Sequence, residues 1–142
     1  MRKRGILIAL IAVVLFIWGN SCLPRSISSQ ESGFIMALLE RLFGTGLITE
    51  HLVRKMAHFA EYALLGGMLL RFTFYLPLRN GWRWLYGAMA AIMIALVDET
   101  IQIFSGRGPM IQDVWLDFAG AVFGGAIAFT VYCCTKRKKR SI

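Results

Sequence analysis

Two stretches of this chain set ionisable side chains at helical spacing inside sequence that is otherwise apolar. RKMAHFAEY, Arg54 to Tyr62, opens with two bases and then sets a histidine and a carboxylate three residues apart. DETIQIFSGRGPMIQDVWLDFAG, Asp98 to Gly120, places paired acids before a Ser-Gly turn and two further acids, four apart, after it. His58, Asp98, Glu99, Asp113 and Asp117 are the residue types that general acid–base chemistry uses, histidine because it exchanges a proton near neutral pH. Arg54, Lys55 and Arg107 can hold a phosphate or carboxylate through charge-assisted hydrogen bonds, with Tyr62 and Gln102 as neutral partners for the same ligand. The deeper carboxylates could also take a divalent cation. The spacings His58-x2-Glu61 and Asp113-x3-Asp117 put ligands on one helix face, yet they are too common to specify a metal alone.

Such groups are expensive where they lie. An ionised side chain at the centre of a membrane span costs about 2.5 to 3.5 kcal/mol on the insertion scale, and intramembrane acids are accordingly a functional-site hypothesis by default. Five carboxylates, counting Glu61, exceed the one or two pairs that locking helices together requires. A structural clamp, in which the acids pair with Arg54, Lys55, His58 and Arg107, is the plain alternative, because buried charges must be matched. A proton relay or ion-coupled transport component is a third reading, opposed by four short spans without a visible inverted repeat.

The elements that must carry these residues are apolar helices. The chain has 142 residues, 57% of them hydrophobic and 17% charged, a composition too apolar and too blocky for a soluble core. Four runs, about residues 5–23, 56–76, 84–104 and 110–134, approach the roughly 20 residues that cross a bilayer. They predict an all-α membrane protein, a four-transmembrane-helix bundle filling a single domain over residues 1–142. With the N-terminus cytoplasmic, Arg2, Lys3, Arg4, Arg71, Arg79, Arg83, Lys136, Arg137, Lys138, Lys139 and Arg140 all fall inside, and all eight acids fall outside. That distribution of the +8 net charge predicts both termini in the cytoplasm. The basic tail follows directly on a span, so it is expected to meet anionic lipid headgroups and not nucleic acid.

In chain order, the first run is expected to be a retained span, since Gly19, Asn20 and Ser21 make a poor lipoprotein cleavage context before Cys22. Pro24 to Gln30 reads as an extracytoplasmic loop. Gly33 to Phe43 reads as a short helix with Phe34, Ile35, Leu38 and Leu42 on one arc, lying in the outer interface or capping the bundle. Cys22 lies at one face and Cys133 and Cys134 at the other, so no disulfide is expected. Pro77 to Gly81 turns the chain, with Trp82, Trp84 and Tyr86 as an aromatic belt.

Taking about 100° per residue with Arg54 at zero, Glu61 falls at about −20°, His58 at about 40°, Tyr62 at about 80° and Lys55 at about 100°. The second span thus turns one polar face toward protein or water. In the third, Asp98, Gln102 and Glu99 continue a seam of Ala88, Ala91 and Ala95. In the fourth, Asp113 and Asp117 share a face with Gly120, Ala121, Gly124 and Ala128. Small-xxx-small spacing brings membrane helices close, so the last two spans are expected to pack through Gly120 and Gly124. Counting ~1.5 Å per residue inward, Glu61, Asp98, Glu99 and Asp117 lie roughly 8 to 11 Å deep, with His58, Gln102 and Asp113 about a turn higher and Arg54, Lys55 and Arg107 at the mouth. The expectation is a layered polar pocket open to the cell exterior.

The ordered combination R-K-x-x-H-F-x-x-Y, D-E-x-x-Q, G-R and D-x-x-x-D, followed by small residues, resembles the VanZ-like family of bacterial integral membrane proteins. The match runs from residue 54 to 124 and falls on Arg54, Lys55, His58, Phe59, Tyr62, Asp98, Glu99, Gln102, Gly106, Arg107, Asp113, Asp117 and Gly120. Glu61 stands outside the pattern, and the loop after Arg107 departs from it mildly. The resemblance implies a multi-pass protein of the bacterial cytoplasmic membrane. The family's namesake is associated with low-level teicoplanin resistance, and no reaction is established for the family. The resemblance thus implies architecture and a site and leaves the chemistry open; the polar pocket at a membrane face is expected to meet membrane lipids, and to take an amphiphile such as a lipid-linked cell-wall precursor or a glycopeptide.

Overall fold

The computed structural model describes residues 3–43, 49–106 and 110–138. Within them the chain is helical, with no strand: α1 Lys3–Cys22, α2 Arg25–Phe43, α3 Glu50–Thr73, α4 Asn80–Phe104 and α5 Ile111–Lys138. Three of these, α1, α4 and α5 to Arg137, are long and apolar enough to cross a membrane. The second predicted span, on α3, is not in that set. At 24 residues its length suffices, but Arg54, Lys55, Glu61 and Arg71 lower its apolarity.

The helices run past the apolar windows because their ends are capped. Thr49 accepts a hydrogen bond from the Leu52 amide at 3.2 Å, satisfying one of the donors that an α-helix leaves free at its start. Helix α3 therefore begins at Glu50, ahead of the expected span at Met56. At the turn after α4 Gly106 ends the helix with φ 69°, the left-handed conformation that glycine adopts without a Cβ penalty.

Two local expectations are corrected. Residues 25–30 are not a loop: α2 starts at Arg25 and runs unbroken for 19 residues. Pro24 initiates it, its carbonyl accepting from the Ile27 amide at 3.1 Å, because a proline at a helix start gives up an amide that has no partner there anyway. Ile27, Phe34, Ile35 and Leu38 form an exposed apolar face on α2; the side chain of Leu42 is outside the described residues. In the aromatic group, Trp82 and Tyr86 are exposed. Trp84, on the opposite side of the helix, packs edge-on against Phe129 at 5.7 Å and against Gly125.

The centre of the fold is α3 against α5, the most extensive contact in the molecule. The two run parallel, in register from Lys55 and Asp113 at one end to the stacked rings of Phe74 and Tyr132 at the other. Gly120 and Gly124 are interface residues, as their spacing suggested, but their partner is α3 and not α4. A Cβ on Gly120 would lie 2.6 Å from the Phe59 carbonyl oxygen, and one on Gly124 would overlap the Ala63 backbone. Gly66 of α3 answers from the other side, against the Ala121 backbone. The alanine seam of α4 is also buried, with Ala91 and Ala95 in a core shared with Ile17, Tyr62, Leu65, Leu69 and Ala121.

Helix α1 is tied in by polar contacts. Trp18 Nε1 donates to the Ile94 carbonyl at 3.4 Å, and Asn20 Nδ2 donates to Glu61 Oε1 at 3.0 Å. Cys22, Cys133 and Cys134 are free and exposed, as expected.

Candidate functional site

Each helix of the α3–α4–α5 group delivers polar residues to one end of the bundle. Arg54, Lys55 and His58 come from α3, Glu99 and Gln102 from α4, and Asp113 and Asp117 from α5; together with His51, Met110 and Leu116 they line a cavity of about 200 Å³. A separate apolar cleft of about 30 Å³, between Trp84, Gly87 and Gly125, holds no ionisable group.

The mouth is partly neutralised. Lys55 Nζ lies 2.9 Å from Asp113 Oδ1, a bridge from α3 to α5, and Arg54 lies 3.4 Å from Glu50 one turn back on its own helix. Arg107 is outside the described residues.

The floor is drier and more acidic. Asp98 is 0% exposed, Asp117 1% and Tyr62 0%. Gln102 Nε2 donates to Asp98 Oδ2 at 3.1 Å and to Glu99 Oε1 at 3.2 Å, fixing two acids of its own helix by the i,i+3 and i,i+4 spacing. His58 Nδ1 stands between helices, 3.9 Å from Asp98 Oδ2 and 3.8 Å from Asp117 Oδ1. Both distances exceed a hydrogen bond. Among the described residues, neither oxygen of Asp117 has a hydrogen-bond partner, and nor does the Tyr62 hydroxyl. Buried polar atoms are nearly always paired, so these atoms mark a place where a further group belongs.

Of the ten candidates that the sequence offers, nine lie in the described residues. Seven line the cavity; Asp98 and Tyr62 are buried next to it, Asp98 facing His58. A profile of the VanZ/LLP1 family matches residues 6–132, a span that reaches all five helices. The chain belongs to the VanZ/LLP1 family. No curated protein matches it, and no solved structure does. As a VanZ/LLP1 chain with three helices fit to cross a bilayer, it fits a VanZ-like membrane protein.

Two polar residues that the sequence did not point to also enter this end of the VanZ/LLP1 fold. His51 lines the cavity, and the wheel that found His58 would have found it, at about 60° from Arg54. Asn20 had no signal in the sequence, because its partner Glu61 lies on another helix. That bond turns Glu61 toward α1, and Glu61 is not among the cavity's lining residues.

Proposed function

We propose that this VanZ/LLP1 protein binds or modifies an amphiphilic component of the cell envelope in an outward-facing intramembrane pocket, with α3 as a fourth span and both termini cytoplasmic. The observation that carries the reading is the convergence of eight polar and ionisable residues from three helices on one cavity, with Asp98 buried beside it. A headgroup with negative charge suits Arg54, Lys55 and His51 at the mouth, while the ligand's apolar part stays among the exposed side chains of Leu52, Met56 and Ile103. His58 is the candidate acid–base group, within reach of ligand and carboxylates alike. A link to glycopeptide tolerance follows only from the family, through lipid-linked wall precursors or the antibiotic itself.

The test is direct binding to purified protein in micelles, with polyprenyl phosphate, a lipid-linked wall precursor and teicoplanin as probes. At least one anionic amphiphile should bind, and Arg54→Ala should weaken it by about tenfold, the loss expected of a single charge-assisted contact. Uniformly absent binding, or affinity indifferent to Arg54, sinks the reading.

A second reading has one observation in its favour. The 2.9 Å Lys55–Asp113 bridge is what a clamp between α3 and α5 would need. It accounts for Asp113, while His58 lies 3.9 Å from Asp98 and 3.8 Å from Asp117, beyond hydrogen-bond reach and looser than a clamp would use.

A further inference from the structure

Three ligand atoms meet at the floor of the pocket, one from each of α3, α4 and α5. The His58 imidazole and the carboxylates of Asp98 and Asp117 offer donor atoms that all lie within 4.8 Å of one another. A cation held at about 2.0 to 2.2 Å by imidazole and carboxylate sets its donors roughly 3 to 3.5 Å apart. The separations of 3.8 and 3.9 Å from His58 need only small side-chain rotations to reach that spacing.

Proximity of acids is common, so the case rests on what surrounds them. Asp117 is 1% exposed and neither of its oxygens receives a hydrogen bond from the described residues, a costly state for a carboxylate with no ligand. The Tyr62 hydroxyl, one helical turn below His58, is fully buried and equally without a hydrogen bond among them. No arginine or lysine forms an ion pair with Asp117 among the described residues. One positive charge placed among these atoms would face both acids at once.

We infer that His58, Asp98 and Asp117 form a binding site for one divalent transition-series cation, of the Zn2+ or Mn2+ class. A nitrogen donor beside carboxylates selects that class over the all-oxygen preference of Ca2+ and Mg2+. Three protein ligands leave positions facing the cavity. Gln102 is the outer partner that orients Asp98, by its 3.1 Å hydrogen bond, the role such partners have in metal sites generally. The inference deepens the pocket reading and rests on it: the cation supplies, at the floor, the positive charge that an anionic headgroup meets after passing Arg54 and Lys55.

The experiment uses the full chain in micelles, stripped with chelator and titrated with Co2+ alone, followed by visible absorption and elemental analysis, then competed with Zn2+. One Co2+ per chain, displaced by Zn2+, is the expected result. His58→Gln and Asp117→Asn should each weaken Co2+ by more than the roughly 10- to 100-fold expected for the outer partner in Gln102→Ala, with Glu40→Gln on α2 as the unaffected control. Bound metal should also raise the Tm of the wild type by mass action and leave the Tm of His58→Gln unmoved, so a variant that folds poorly is recognised from its metal-free baseline. His58 is the least buried of the three, its side chain 15% exposed, which makes its variant the safest to fold. Sub-stoichiometric Co2+ on the wild type, or wild-type Co2+ affinity in both ligand variants, overturns the site. Metal uptake without amphiphile binding would spare this site and remove the pocket reading; amphiphile binding by metal-free protein that takes up no metal would do the reverse.

Discussion

Lys55 and Asp113 sit a turn above His58 and Asp117, and the two pairs differ in their relation to water. With side chains 29% and 24% exposed, the upper pair keeps part of its hydration and gains a correspondingly small net attraction. A double-mutant cycle of Lys55→Ala and Asp113→Ala, read by thermal unfolding in micelles, should give a coupling of about 0.2 to 1 kcal/mol. A value of several kcal/mol would make the pair a clamp and move weight to the structural reading. The lower acids behave differently because both are buried and their carboxylates lie within 4.8 Å of each other. In chelator-treated protein, Asp117→Asn should keep or raise the Tm, since the amide is isosteric and ends the repulsion from Asp98. A large fall would show that the Asp117 charge holds helices together.

Helix packing decides which glycines can change. Gly120, Gly124 and Gly66 allow the backbones of α3 and α5 to touch, and at Gly124 even a methyl group would overlap the Ala63 backbone. Gly124→Ala should therefore sharply lower accumulation in the membrane, and Gly124→Leu should abolish it, as followed by fluorescence-detected size exclusion. Gly87 of α4 is the internal control: it is buried, yet a Cβ there meets nothing within 4 Å. Gly87→Ala should be neutral or stabilising by about 0.5 to 1 kcal/mol, the helix gain on replacing glycine. Equal loss in both alanine variants would show that helix propensity and not close approach governs the bundle.

For the molecule as a whole, orientation can be read from its own cysteines. Cys22 lies at the end of α1 and Cys133 and Cys134 near the end of α5, all exposed. With both termini inside, a membrane-impermeant maleimide should label a Cys22-only variant in intact cells and label a Cys133-only variant after permeabilisation. Labelling of both from the same side would undo the four-span arrangement and the outward pocket with it. The exposed apolar face of α2, Ile27, Phe34, Ile35 and Leu38, bears on the same orientation, because on the outer leaflet it would lie in the interface beside the pocket mouth.

Sequence by itself determined the helical class, the apolar helices α1, α4 and α5, the family and most of the residues that the structure gathers around one cavity. Periodicity within one helix is a local property: Arg54, Lys55, His58 and Tyr62 share a face because 3.6 residues make a turn, whatever that face meets. The same reasoning put small residues at an interface without identifying their partner. Only tertiary structure decided that Gly120 and Gly124 meet α3, that Lys55 answers Asp113 and that Asn20 draws Glu61 toward α1, since pairing between helices depends on their rotation and relative height. Depth shows the same limit. Rise per residue set His58 a turn above Asp117, but the register of α5 against α3, which pairs Lys55 with Asp113, sets Asp117 level with His58. Its carboxylate comes within 3.8 Å of the imidazole, bringing together three ligands that the sequence had separated into layers.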